Sequence, residues 1–293
     1  MNYAIENDKL KVIVSTLGAE LSSIYGKTTN FEYLWQGSEE FWRGRATNVF
    51  PNCGRLWEGK YTYDGKTYEL PCHGFAKLFE FEVVSFAPTK LILRLEDNEE
   101  TKKVYPFSFS LTITYSLKEG TLKTEYKVEN KGENDLPFAL GGHPGFNLPL
   151  EEGVTFEEHY LEFENKCRVK RLAFSDTCFF TGELLPYSLK ESKKIPLKHS
   201  MFNKDAIFLS GMDKTVTLKS DKTERFVKVT YPGMDHVGFW HTPKKKAPFI
   251  CIEPWTGVPG LDGVIEDFST RKEFISLPQG ETYVNYFDIE VNE

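Results

Sequence analysis

Ser108-Phe109-Ser110-Leu111-Thr112-Ile113-Thr114-Tyr115-Ser116-Leu117 alternates polar and apolar side chains. Lys118-Glu119-Gly120 follows, and Thr121-Leu122-Lys123-Thr124-Glu125-Tyr126-Lys127-Val128-Glu129 takes up the alternation again. Period-two alternation puts every second side chain on one face of a strand. Two such runs joined by a glycine-bearing turn read as a β-hairpin. The same pattern recurs on both sides. Residues 10–14 and 90–96 alternate, and residues 61–68 form a second hairpin with Asp64-Gly65 at its tip. Further strands are expected at 215–219, 226–231, 237–241, 249–252 and 283–290. Helix signals are few, with one short turn expected at 39–43. Many strands with turn residues between them imply an all-β fold of large antiparallel sheets with few short helices, a sandwich or a barrel.

Composition agrees. Aromatic residues make up 15% of the chain, with 24 Phe and 14 Tyr, which suits strands better than helices. The 293 residues exceed the usual domain length, but large all-β folds run as one unit of about this size. With no linker, repeat or low-complexity segment, residues 1–293 read as a single domain. The net charge of −7 and a pI near 5.6 come without a basic stripe, which argues against a nucleic-acid partner. Lys244-Lys245-Lys246 is the only tight basic run and reads as a solvated loop beside Pro243. No run approaches the ~18 apolar residues of a membrane span. Residues 1–8 lack the basic and apolar regions of a signal peptide. The 5 cysteines are odd in number and show no CxxC or Cys/His metal spacing, so reduced thiols are expected. A cytoplasmic protein without membrane partners follows, either a monomer or a homodimer.

Against this β background, five short islands concentrate polar chemistry: Asn52-Cys53-Gly54-Arg55, His73-Gly74-Phe75-Ala76, Gly141-Gly142-His143-Pro144-Gly145, Asn203-Lys204-Asp205-Ala206 and Glu253-Pro254-Trp255-Thr256-Gly257. Glu253 is the candidate base. It is expected at the end of the strand 249–252, because Pro254 cannot continue a ladder. Trp255 beside it would raise its pKa by desolvation; otherwise it is an ordinary strand-end glutamate. His143 is the candidate acid, since histidine titrates near neutral pH. Its three glycines are expected to permit unusual backbone angles and close approach of a ligand. His73 could orient or polarise a ring oxygen. The Arg55 guanidinium can hold two hydroxyls or a phosphate in a fixed fork. Asp205 could accept from hydroxyls. Trp35, Trp42, Trp240 and Trp255 offer apolar faces to a sugar ring, with core packing the plain alternative for each. Together the set implies one polar, sugar-sized pocket. GxSxG, HExxH and GxxxxGK[ST] are absent.

The islands occur in an order that resembles the aldose 1-epimerases, or galactose mutarotases, and in particular their LacX-like bacterial branch. The resemblance runs through Thr16-Leu17-Gly18-Ala19-Glu20-Leu21, Phe50-Pro51, Gly54-Arg55-Leu56 and Tyr63-Asp64-Gly65-Lys66. It continues through His73-Gly74-Phe75-Ala76, Gly142-His143-Pro144-Gly145-Phe146 and Glu253-Pro254-Trp255. It implies a β-supersandwich with a sugar cleft over one sheet. It also implies Glu253 as general base on the anomeric hydroxyl and His143 as general acid on the ring oxygen. His73, Arg55, Asp205, Lys77 and Trp255 would then bind a hexose, and neither metal nor organic cofactor would be needed. Lys77 stands where related sequences often have arginine, so a phosphorylated hexose is less favoured than a free one, despite Arg43 and Arg45 upstream. Three rivals remain open. A glycoside hydrolase would use Glu253 and Asp205 as a carboxylate pair. A non-catalytic sugar binder would share the fold without the chemistry. A cupin-like metal site would use His73, His143 and Glu253, although the chain lacks the tight HxH spacing usual there.

Overall fold

The structure, a computed structural model, describes residues 1–292. In it the hairpin pairs Phe109–Lys118 with Thr121–Asn130, closing at Lys118 opposite Thr121. Along its second strand Leu122, Thr124, Tyr126 and Val128 are buried, while the residues between them are half-exposed, as the alternation requires. The turn takes its left-handed residue from Glu119 (φ 52°), not from the glycine. The second hairpin, Lys60–Tyr63 with Lys66–Glu69, has Asp64 and Gly65 both at positive φ, the geometry expected of a two-residue connection.

The first hairpin lies inside a nine-stranded antiparallel sheet. From edge to edge its strands are Lys194–Pro196, His159–Phe163, Thr215–Ser220, Phe226–Thr230, Thr282–Val291, Thr121–Asn130, Phe109–Lys118, Lys90–Glu96 and Glu82–Ala87. A seven-stranded sheet packs against it, in the order Phe180–Tyr187, Val169–Phe174, Ile207–Ser210, His236–Trp240, Phe249–Trp255, Gly141–Asn147 and Ala46–Val49. The contact between the layers is explicit. The Tyr126 hydroxyl donates to Asn48 Oδ1 (2.8 Å) and lies 3.1 Å from the Gly141 carbonyl. The Phe163 and Phe239 rings meet across the same gap. A four-stranded sheet, Asn2–Glu6 to Phe31–Glu32, completes the β framework with two short two-stranded pairs. One contiguous hydrophobic core draws on residues from Ile5 to Val291. The large antiparallel sheets expected from the alternation form, and they pack as the β-supersandwich that the family resemblance implies.

Three local expectations are corrected, and one helix is added. Residues 39–43 are bends, not a helical turn. There the backbone N–H of Ser38 donates to the Trp42 carbonyl, and the Trp35 indole donates to the same oxygen, so the segment folds around its aromatics. The single α-helix among the described residues is Glu99–Val104, which the alternation did not reveal. Asn98 caps it by accepting from the backbone N–H groups of Glu100 and Thr101, and the Thr101 hydroxyl accepts from the Asn98 backbone.

The strand expected to stop at residue 252 runs on to Trp255, so Glu253 lies inside it. Ladder pairs with the neighbouring strand form at Gly141–Trp255 and at Gly145–Cys251, but not between them. Pro144 and Pro254, which have no N–H to give, both fall in that unbonded stretch. The glycine-rich segment around His143, expected to take unusual backbone angles, is an interior strand. Gly141, Gly142 and Gly145 all have negative φ. Their small size serves close packing: a Cβ on Gly142 would stand 2.6 Å from the Phe287 ring of the facing sheet. Gly142→Ala is therefore expected to destabilise the fold by about 1–3 kcal/mol through overpacking. The check is urea denaturation, which should show a lowered midpoint at unchanged slope.

Candidate active site

The interrupted ladder sets the site. The register that pairs Gly141 with Trp255 and Gly145 with Cys251 also puts His143 directly opposite Glu253. Facing residues of neighbouring antiparallel strands bring their side chains together, most closely where no ladder bond intervenes. His143 Nε2 lies 3.3 Å from Glu253 Oε2, with 7% of His143 and 1% of Glu253 exposed. Alternation also sorts the faces. Gly142 meets the nine-stranded sheet, so His143 projects to the other side.

On that side lies a cavity of about 240 Å³. This is smaller than the roughly 300–1,000 Å³ of pockets for drug-sized ligands and is scaled to a single sugar. Arg55, His73, His143, Asp205, Glu253 and Trp255 all line it, so six of the seven residues singled out in the sequence converge. The seventh, Lys77, does not line it. Its ammonium donates to the Cys72 carbonyl at 2.7 Å and braces the loop that carries His73. Arg43 and Arg45 also stay outside the wall, Arg43 beside Glu39 (3.2 Å) and Arg45 donating to the Gln36 carbonyl.

Each remaining group is held by a local device. His73 sits at φ 65°, its N–H donating to the Gly54 carbonyl and its carbonyl accepting from Phe50. Gly74 follows at φ 71°, pressed so closely on Phe50 that a Cβ would stand 2.1 Å from its carbonyl oxygen. The 3-10 turn His199–Phe202 delivers Asp205 at φ 81°, with its N–H on the Phe202 carbonyl. Asp205 and Arg55 form an ion pair at 3.2 Å, which orients both across the mouth. Trp42 lies 4.9 Å from the His143 ring, centroid to centroid, and Trp240 5.8 Å. Trp255 packs on Phe208 at 4.3 Å and donates its indole N–H to the Gly142 carbonyl. These aromatics form the apolar part of the wall. Trp35 is the exception among the four tryptophans named in the sequence analysis. It stacks on Phe249 in the core and does not line the cavity.

Burial decides the electrostatics. Desolvation pushes the Glu253 carboxyl well above its ordinary value, and the negative charge of Asp205 adds to the shift. Desolvation lowers His143 to about 4. His73 is held well below its usual value, first by burial and then by His143, Lys77 and Arg55. Between the lowered His143 value and the raised Glu253 value the pair thus carries one proton and no net charge. Glu253 Oε1, His143 Nδ1 and His73 Nδ1 are buried without a hydrogen-bond partner. Such atoms at a cavity wall leave hydrogen-bonding capacity that water or a polar ligand can take up.

The wall also contains residues that the sequence reading did not single out: Cys72, Phe174, Cys178, Phe208 and Pro259. Cys72 and Phe208 flank recognised islands and could have been found by extending them. Phe174 and Cys178 belong to a segment with no motif of its own.

Comparison with known proteins agrees with this geometry. The family described as aldose 1-epimerase matches residues 1–283. The chromosomal LacX protein of Lactococcus lactis subsp. lactis is 32% identical over 267 residues, 88% of each chain. A galactose mutarotase related enzyme from Lactobacillus acidophilus superposes with a TM-score of 0.93 at 34% identity, covering 100% of this chain and 98% of its own. A galactose mutarotase-like protein from Lactobacillus casei gives a TM-score of 0.94 at 30% identity, with both chains fully covered. With fold, cavity and family match in agreement, the chain belongs to the aldose 1-epimerase family.

Proposed function

We propose that the protein is a mutarotase, an isomerase that interconverts the α and β anomers of a free hexose such as galactose or glucose. In this reading Glu253 is the general base and His143 the general acid. The observation that carries it is the buried 3.3 Å contact between them. Ring opening takes a proton from O1 and gives one to O5, and both oxygens hang on the same carbon. Acid and base must therefore both come within hydrogen-bond reach of oxygens borne by one carbon. A carboxylate and an imidazole in contact meet that demand. A hydrolase would need Asp205, the other carboxylate on the cavity wall, as partner to Glu253, but Asp205 is engaged by Arg55 at 3.2 Å.

The single shared proton makes the chemistry balance. Its transfer from Glu253 to His143 gives a carboxylate beside an imidazolium with no change in net charge. The carboxylate takes the O1 proton while the imidazolium protonates O5, and the C1–O5 bond breaks to leave the aldehyde. Rotation about C1–C2 presents the other carbonyl face. Glu253 then returns its proton to the carbonyl oxygen while His143 takes the O5 proton and O5 attacks C1. The starting protonation is restored with C1 inverted. His73, Arg55 and Asp205 hold hydroxyls, and Trp42, Trp240 and Trp255 cover the C–H face. Residues 1–293 act as one domain, and the five free thiols suit a reducing compartment such as the cytoplasm. No helix among the described residues is long and apolar enough to cross a membrane.

Arg55→Ala removes a charge-assisted contact worth roughly 1.5–3 kcal/mol. It is expected to raise KM by about ten- to a hundredfold with a smaller change in kcat, as read from initial polarimetric rates over a range of sugar concentrations. A fall in kcat alone would remove Arg55 from hydroxyl binding.

One observation favours a second reading, a hexose 6-phosphate as substrate. A groove of about 820 Å³ adjoins the cavity through Arg55, Phe174, Cys178 and Asp205, and Arg171, Lys204 and Lys244 line it. The comparison of galactose and glucose with their 6-phosphates decides between the two by kcat/KM.

A further inference from the structure

We propose that His143 and Glu253 on the cavity wall, with Cys251 buried behind them, also bind a soft divalent cation, best fitted by zinc(II), and that the bound cation blocks the sugar reaction. Ligand atoms of these three residues all lie within 4.8 Å of one another. The strand explains why. Cys251 and Glu253 are two residues apart in Phe249–Trp255, so they share a face, and His143 projects to the same face from the neighbouring strand. Zinc bonds of ~2.0–2.3 Å place tetrahedral ligand atoms roughly 3.3–3.7 Å apart. The His143–Glu253 contact already has that spacing at 3.3 Å.

A second observation points the same way. Glu253 Oε1, in a residue 1% exposed, has no hydrogen-bond partner, so one carboxylate oxygen is free to ligate. The donor set of one sulfur, one nitrogen and one oxygen selects a zinc-like cation over magnesium or calcium, which prefer all-oxygen shells. Charge fits as well: a thiolate, a carboxylate and a dication sum to zero, the only total that a buried site accepts without large cost. Binding displaces the thiol proton and the proton that the pair shares, and both leave to solvent. The triad differs from the cupin-like set weighed in the sequence, since Cys251 replaces His73. The cation here is an inhibitor, because it occupies the two groups that must move protons. The blocking part of the proposal rests on the mutarotase reading, whereas the binding part does not.

The test uses the full chain, stripped with a chelator and titrated with cobalt(II) as a spectroscopic stand-in for zinc. Wild type is expected to develop thiolate-to-cobalt charge-transfer absorbance together with tetrahedral ligand-field bands, and zinc should abolish both. Zinc should also inhibit mutarotation reversibly, in competition with sugar. Cys251→Ser is expected to retain mutarotation, to lose the charge-transfer absorbance and to need at least about tenfold more zinc for inhibition. Cys251→Ala serves as a second variant should serine unfold this buried position. Absence of the charge-transfer absorbance in wild type, or equal zinc sensitivity of wild type and both Cys251 variants, overturns the proposal. If wild type turns over no sugar, the mutarotase reading and the blocking part fall together, and the cobalt absorbance still decides whether the site exists.

Discussion

Replacement of Glu253 by glutamine is expected to slow hexose mutarotation by about 10²–10⁴, the usual worth of a positioned proton-transfer group. Glutamine keeps the shape of the side chain but cannot accept the O1 proton, so the loss should fall on kcat. The same variant should be more stable than wild type at neutral pH. Burial raises the Glu253 pKa in the folded state. Between the unfolded value near 4.5 and that raised value, the folded chain binds more protons than the unfolded one, so stability falls as pH rises through this window. A neutral amide removes the dependence. Thermal denaturation at pH 7 should give a higher Tm for Glu253→Gln, and a flatter dependence of Tm on pH above 4.5. A variant both less active and less stable would mean that Glu253 holds the fold together, contrary to the acid–base account.

His143→Gln is expected to cost a similar factor in kcat, and the double variant little more than either single one, because the two groups act as a unit. The pH profile carries the matching signature. In the metal-free enzyme the pair holds one proton between the lowered His143 value, about 4, and the raised Glu253 value. Below the first both groups are protonated and the base is lost. Above the second neither is, and the acid is lost. The rate should therefore form a plateau between the two values, with an acid limb near 4, and its limbs belong to the pair as a whole. An acid limb near the ordinary histidine value of ~6.5 would show that His143 is solvated and free of the pair.

Much of the fold could be read from period-two alternation, because strands with one buried face advertise it, as Thr121–Asn130 does. The helix Glu99–Val104 escaped because its six residues carry no apolar period, and its cap joins Asn98 to Thr101 and not to a glutamate. Proline misled for a physical reason. Its missing N–H does end a ladder, but Pro144 and Pro254 fall in one unbonded stretch and cost the sheet no further bond. The polar half of the site was visible as residue types in glycine- and aromatic-rich islands. The pairing of His143 with Glu253 was not, because register between strands distant in sequence leaves no mark on either strand alone. Cys251 was hidden in the same way. In sequence it is one more apolar residue of a fully buried strand, and only the register sets it beside the pair.

Polarimetry of freshly dissolved α-D-galactose and α-D-glucose, with wild type and Glu253→Gln in parallel, bears on the mutarotase account before anything else. The account predicts that wild type hastens the drift to equilibrium and that the variant leaves it close to the spontaneous rate. Equal acceleration by both proteins, or by neither, would contradict it.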